Sequence, residues 1–149
     1  MKIPENYADW MQVLQAAQES DADEDEDVLR VCQEGKLSWQ TGVAERFTQH
    51  LLDTVNARLD RATDTFQKQM GRAGGQESAV IQAILQLRKE LQFLMRFVDI
   101  PAIPEENRKQ YRQLVKEQAD KIQDSLVASA RGDRSGKLSS IVRNHPVNR

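Results

Sequence analysis

Apolar side chains recur every three or four residues through three separate stretches of this chain, a rhythm that fits packed helices and fits no strand. The first stretch carries Val43, Phe47, Leu51, Val55, Leu59, Ala62, Phe66 and Met70 without an intervening proline. Ser38 is placed to cap it, and a helix from Ser38 to Met70 is roughly 50 Å long at about 1.5 Å per residue. Its steps average more than 3.6 residues, so the stripe drifts and different neighbours cover its two ends. Gly71-Arg72-Ala73-Gly74-Gly75 is the clearest turn signal in the chain.

The second stretch, capped by Ser78, spaces Val80, Ile84, Leu87, Leu91, Leu94 and Val98 four and three apart, and Ile81, Leu85, Phe93, Met95 and Phe97 widen the stripe. A helix so apolar on several sides reads as the central one. Asp99-Ile100-Pro101-Ala102-Ile103-Pro104 ends it, because proline disfavours helix in the residue before it. The third stretch starts around Pro104-Glu105-Glu106 and carries Tyr111, Leu114, Val115, Ala119, Ile122, Leu126 and Ala130.

Two shorter helices precede these. Pro4-Glu5-Asn6 resembles a first helical turn, and Tyr7, Trp10, Met11, Leu14 and Ala17 step from it toward Ser20. An acidic linker is expected over 19–27, overlapping a second helix from about Asp25 to Glu34 that Gly35 ends. Alternating strand patterns are absent. The expected fold is all-α: an antiparallel bundle of three long helices with two short N-terminal helices packed against it. Residues 1–130 form a single helical-bundle domain and 131–149 a basic C-terminal tail, in which Leu138, Ile141 and Val142 share a face before Pro146.

Composition agrees with a domain of this kind. Of 149 residues, 39% are hydrophobic and 30% charged, enough for one modest domain around a thin core. Apolar runs reach only three or four residues, far short of a bilayer span. Met1 to Asn6 shows no apolar secretory core, and the lone Cys32 has no disulfide partner, so a cytoplasmic protein without a membrane association is expected. The net charge of −2 hides polarity: residues 1–35 hold ten acids against Lys2 and Arg30, whereas residues 131–149 hold five cations against Asp133. Two solvated termini explain this, since exposed ion pairs are worth only about 0 to 1 kcal/mol each.

No residue set announces chemistry. Asp21, Asp23 and Asp25 imitate the opening of a calcium loop, but Glu26 stands where its glycine belongs and Cys32 where its final glutamate belongs. Neither His50 nor His145 has the Glu three residues earlier that di-iron helical bundles use. His50, one turn after Phe47, reads as a boundary histidine, and Cys32 as a small buried residue. Gly71 to Gly75 lacks the Lys-Ser/Thr ending of a phosphate loop. No metal, cofactor or catalytic residue is therefore expected.

What remains is binding. The expected function is a non-enzymatic protein that acts through protein–protein interaction, of adaptor, chaperone or scaffold type, with a protein partner or with itself as a homodimer. Tyr7, Trp10, Ile81, Phe93 and Phe97 are the candidate contacts, since they offer more apolar surface than three partner stripes need to cover. One alternative is a small regulator that touches DNA or RNA through Arg131, Arg134, Lys137 and Arg143, although the tail has no aromatic side chain on which bases stack. A second is a small-molecule sensor with its pocket in the bundle.

Overall fold

The computed structural model describes residues 1–149, and six helices with no strand account for 77% of them. In chain order these are α1 (Tyr7–Glu19), α2 (Ala22–Glu34), α3 (Thr41–Ala73), α4 (Glu77–Phe97), α5 (Glu105–Ala130) and α6 (Lys137–Asn144). The fold is an all-α helical bundle whose three long helices are the three periodic stretches and whose two short helices come first. No helix is long and apolar enough to cross a membrane. The chain gathers into two compact units, one of residues 1–58 and 93–113 and the other of residues 59–92 and 114–149, so each long helix contributes a segment to both.

Local side-chain chemistry moves the helix ends from their expected places. Pro4-Glu5-Asn6 is not the first turn of α1. Asn6 is its N-cap, in extended backbone, with Oδ1 accepting from the amide of Asp9 at 2.9 Å, while the Pro4 carbonyl accepts from the Lys36 amide at 2.9 Å. Nor is 19–27 a linker. Asp21 accepts from the amides of Asp23 and Glu24, and α2 is already helical at Ala22, with Asp23, Glu24 and Asp25 in its first turn near the positive end of the helix dipole. Gly71 and Arg72 are helical too. The turn after α3 falls instead at Gly74 and Gly75, whose φ of +57° and +82° suit residues without a Cβ.

In the first unit, Trp10, Leu14, Val28, Val31, Phe47, Leu51, Leu94, Phe97, Ile100 and Ile103 are buried. Trp10 meets Phe47 edge-on at 5.6 Å between centroids, and its indole N–H donates to the Lys36 carbonyl at 2.9 Å. Gly35 lies beneath that ring: a Cβ there would stand 2.6 Å from Trp10 Cζ2 and 2.7 Å from Pro4 Cγ. Gly35 follows α2 because Trp10 leaves room for nothing larger, and its own φ of −70° is ordinary. At the start of α5, Arg112 bridges Asp99 in the preceding loop at 2.7 Å and Glu105 of the first turn at 2.6 Å, and Arg108 reaches Glu105 at 2.7 Å. The Arg112 hydrogen bond is the main reason the Glu105 carboxyl is held below the usual carboxylate range.

In the second unit, Phe66, Val80, Ile84, Leu87 and Leu91 are buried along α3 and α4, Val115 and Ala119 along α5, and Ile141, Val142 and Val147 near the C-terminus. Gln69 of α3 donates to Gln86 of α4 at 2.7 Å across the turn at Gly74 and Gly75, as the antiparallel pairing of the two helices allows. The basic C-terminal stretch is docked. The Val147 amide donates to Gln123 Oε1 at 3.0 Å, Ser139 Oγ to the Ala130 carbonyl at 3.2 Å, and Asn148 to Asp120 at 3.0 Å.

Candidate functional site

The most heavily bonded polar group in the first unit is one that sequence reasoning missed. Arg58 sits on the apolar stripe of α3 and is only 1% exposed. Its Nη1 and Nη2 each donate at 3.0 Å to the two carboxylate oxygens of Asp25 in α2. Nη1 also donates to the Ala17 carbonyl at 2.8 Å and to Ser20 Oγ at 2.7 Å, while its Cζ lies 4.0 Å over the Phe93 ring. Ser20 Oγ in turn lies 2.6 Å from Asp25 Oδ1 as its donor. A guanidinium thus closes the C-terminal end of α1, where helix carbonyls lack partners, and neutralises one of the acids of α2. Glu26 also meets an arginine, Arg96 of α4, at 2.9 Å, in a pair that is exposed where the Arg58–Asp25 pair is largely buried. Part of the acidic run therefore meets arginines of the same unit.

This centre binds the fold to itself and offers no reactive group. Cys32 is buried, and burial pushes its thiol up to about 12, so it is protonated and unreactive at neutral pH. His50 is exposed on α3. An open groove of about 560 Å³ beside α2 and the end of α4 is lined by Glu26, Leu29, Arg30, Gln33, Arg96 and Asp99 among others. Its arginines already meet carboxylates, Arg30 with Asp27 and Glu34 and Arg96 with Glu26, so the groove has no uncommitted cation to select a ligand.

The five apolar candidates do not form one surface. Trp10, Phe93 and Phe97 are enclosed by their own unit, the last two stacked at 5.6 Å, and Tyr7 is half-buried in α1. Ile81 lies in the second unit, half-buried on α4, one turn before Leu85. At 37% exposure Leu85 is an exposed large apolar side chain, and the others of its kind, Met1 and Ile3, lie in the N-terminal segment. One turn further, Arg88 is half-buried with its Nε shut away from water and without a hydrogen-bond partner, and no carboxylate of the chain pairs with it. Glu77 and Lys89, exposed at the two ends of the same row, also make no ion pair.

No protein-family model, curated protein or solved structure matches this chain. The chain's own geometry is what bears on function.

The four basic candidates share the second unit. Arg131, Arg134, Lys137 and Arg143 are all exposed, and none makes an ion pair. Asp133 organises the segment: its carboxylate accepts from the Leu138 amide at 3.0 Å and from Ser135 Oγ at 2.8 Å. These bonds, the Leu138 amide first, hold its carboxyl below the ordinary 3.8. The units differ in charge, with nine cations against fifteen anions in the first, net −6, and twelve against eight in the second, net +4.

Proposed function

We infer that this chain is a non-enzymatic protein-interaction module that binds another polypeptide through the outer face of α4. The observation that carries this reading is the Ile81–Leu85–Arg88 stripe. Leu85 stands exposed in mid-helix one turn after the half-buried Ile81, and Arg88 beside them is half-withdrawn from water with no countercharge in the chain to offset its desolvation. Arginine is also enriched among the residues that carry the binding energy at the centres of protein interfaces. Cys32, buried and with its thiol pushed up to about 12, is not available as a nucleophile at neutral pH.

A photo-reactive benzoylphenylalanine placed at position 85 in growing cells tests this. A covalent adduct with a polypeptide is expected, and it should exceed that from the same probe at exposed Gln67 of α3. Equal yields at the two positions would remove the reading.

The basic segment favours a second reading, contact with the phosphates of DNA or RNA, because Arg131, Arg134, Lys137 and Arg143 are exposed there and none of them makes a close ion pair. It predicts duplex binding that falls with salt by a slope of about −0.9 per phosphate contact and disappears when Arg131, Arg134 and Arg143 are changed together to Ala. Binding that survives those changes would refute it.

A further inference from the structure

The row of side chains along the outer face of α4 is self-complementary, which identifies an occupant for it. Glu77, Ile81, Leu85 and Lys89 follow one another at intervals of four, so they form a single ridge of the helix: an acid, two aliphatics and a base. Turned over about a two-fold axis that crosses α4 at the level of residue 83, the ridge meets its own image. Ile81 then faces Leu85 of the second copy, Leu85 faces Ile81, and Glu77 and Lys89 face Lys89 and Glu77. Arg88, which lacks a carboxylate in its own chain, comes to the level of residue 78 of the second copy, next to Glu77.

We propose that a second copy of this chain docks there, α4 against α4 in antiparallel two-fold register, as a reversible homodimer. This rests on the reading of α4 as an interaction face and names the partner. Three features favour a copy of the chain over an unrelated helix. Both charges of the ridge, Glu77 and Lys89, are exposed and uncommitted, and they stand symmetrically about the two aliphatic residues. An isologous interface demands that symmetry, because each residue must suit both its own position and its mate's. A parallel arrangement would set like charges against each other. Ridges of this i, i+4 type interlock at a crossing of about −50°, which keeps the contact short. One helix crossing falls below the area of a standard stable interface, so the dissociation constant is expected between about 10 µM and 1 mM.

Sedimentation equilibrium of the full chain tests the proposal. The wild type is expected to move from monomer to dimer across that concentration range, and Leu85→Glu to remain monomeric. Glu77→Lys and Lys89→Glu each place like charges together at two symmetric sites and should weaken the dimer about tenfold, while the double exchange E77K/K89E restores it. A wild type that stays monomeric at about 1 mM overturns the proposal. So does a dimer indifferent to Leu85→Glu, or a double exchange no better than the singles. A photo-adduct at position 85 whose mass shows a different polypeptide would leave the interaction module standing and remove only the second copy.

Discussion

Arg58 has the environment of a core side chain and the chemistry of a surface one, and its energetics follow from that conflict. Removing one member of a buried ion pair leaves the other's charge and its hydrogen-bonding groups unmatched, which costs about 3 to 5 kcal/mol, whereas removing both costs less than the sum. Arg58→Met and Asp25→Asn are each expected to lower the unfolding free energy by about 3 kcal/mol, near the low end because Asp25 keeps 15% side-chain exposure. The double variant should fall short of additivity by more than 1 kcal/mol in urea melts. Additive losses would mean that the two side chains do not work as a pair. Gly35 gives a second residue-scale expectation. The Trp10 ring above it is fixed by its bond to the Lys36 carbonyl, so it cannot withdraw from an added methyl at 2.6 Å. Gly35→Ala should therefore destabilise by about 1 to 3 kcal/mol, the usual range for overpacking, although the backbone angles there admit alanine. An unchanged midpoint in the same melts would show that the ring can move.

At the scale of elements, most of the fold was legible because helical periodicity is a local signal: the stripes through Phe47, Leu87 and Val115 located α3, α4 and α5 without knowledge of what they touch. The ends were less legible. Asn6 and Asp21 cap α1 and α2 through bonds only two or three residues long, yet Pro4 and the acidic run gave competing signals, and the contact of Pro4 with Lys36 joins segments distant in sequence. Arg58 was legible only as an anomaly, a cation on the Leu51–Val55–Leu59 stripe, since its acid lies 33 residues earlier. On α4 the sequence marked too many apolar positions, and which of them stay uncovered is decided by packing: Phe93 and Phe97 are enclosed while Ile81 and Leu85 are not. The C-terminal helix makes an element-scale prediction. Because the Asp133 carboxyl titrates lower in the folded chain than its ordinary 3.8, its fastening of α6 is fully present above that value and lost as pH falls through the lower, folded one. The Leu138 amide resonance should therefore titrate with a midpoint below 3.8, and Asp133→Asn should speed hydrogen exchange across residues 137–144 at neutral pH. A midpoint at or above 3.8 would show that the carboxylate is not engaged as described.

For the whole molecule, association and stability are linked, because a second chain that binds only the folded form draws the folding equilibrium toward it. With a core as thin as 39% hydrophobic residues allows, that linkage should be visible in heat denaturation. Two chains share one interface, so well above the dissociation constant each tenfold increase in concentration adds half of about 1.4 kcal/mol to each chain, or about 0.7 kcal/mol. For a protein of this size 1 kcal/mol shifts the melting temperature by about 2 to 4 °C, which gives roughly 2 °C per decade. Melts of the wild type over a hundredfold range ending near 1 mM should stay flat at the low end and rise toward that slope as the concentration passes the dissociation constant and dimer is populated. Leu85→Glu should give a flat line over the same range, and E77K/K89E should recover the slope while either single exchange reduces it. Gly35→Ala, whose effect lies inside the first unit, should lower every point and leave the slope unchanged. A slope that Gly35→Ala removes and Leu85→Glu spares would place the association in the first unit and away from the outer face of α4.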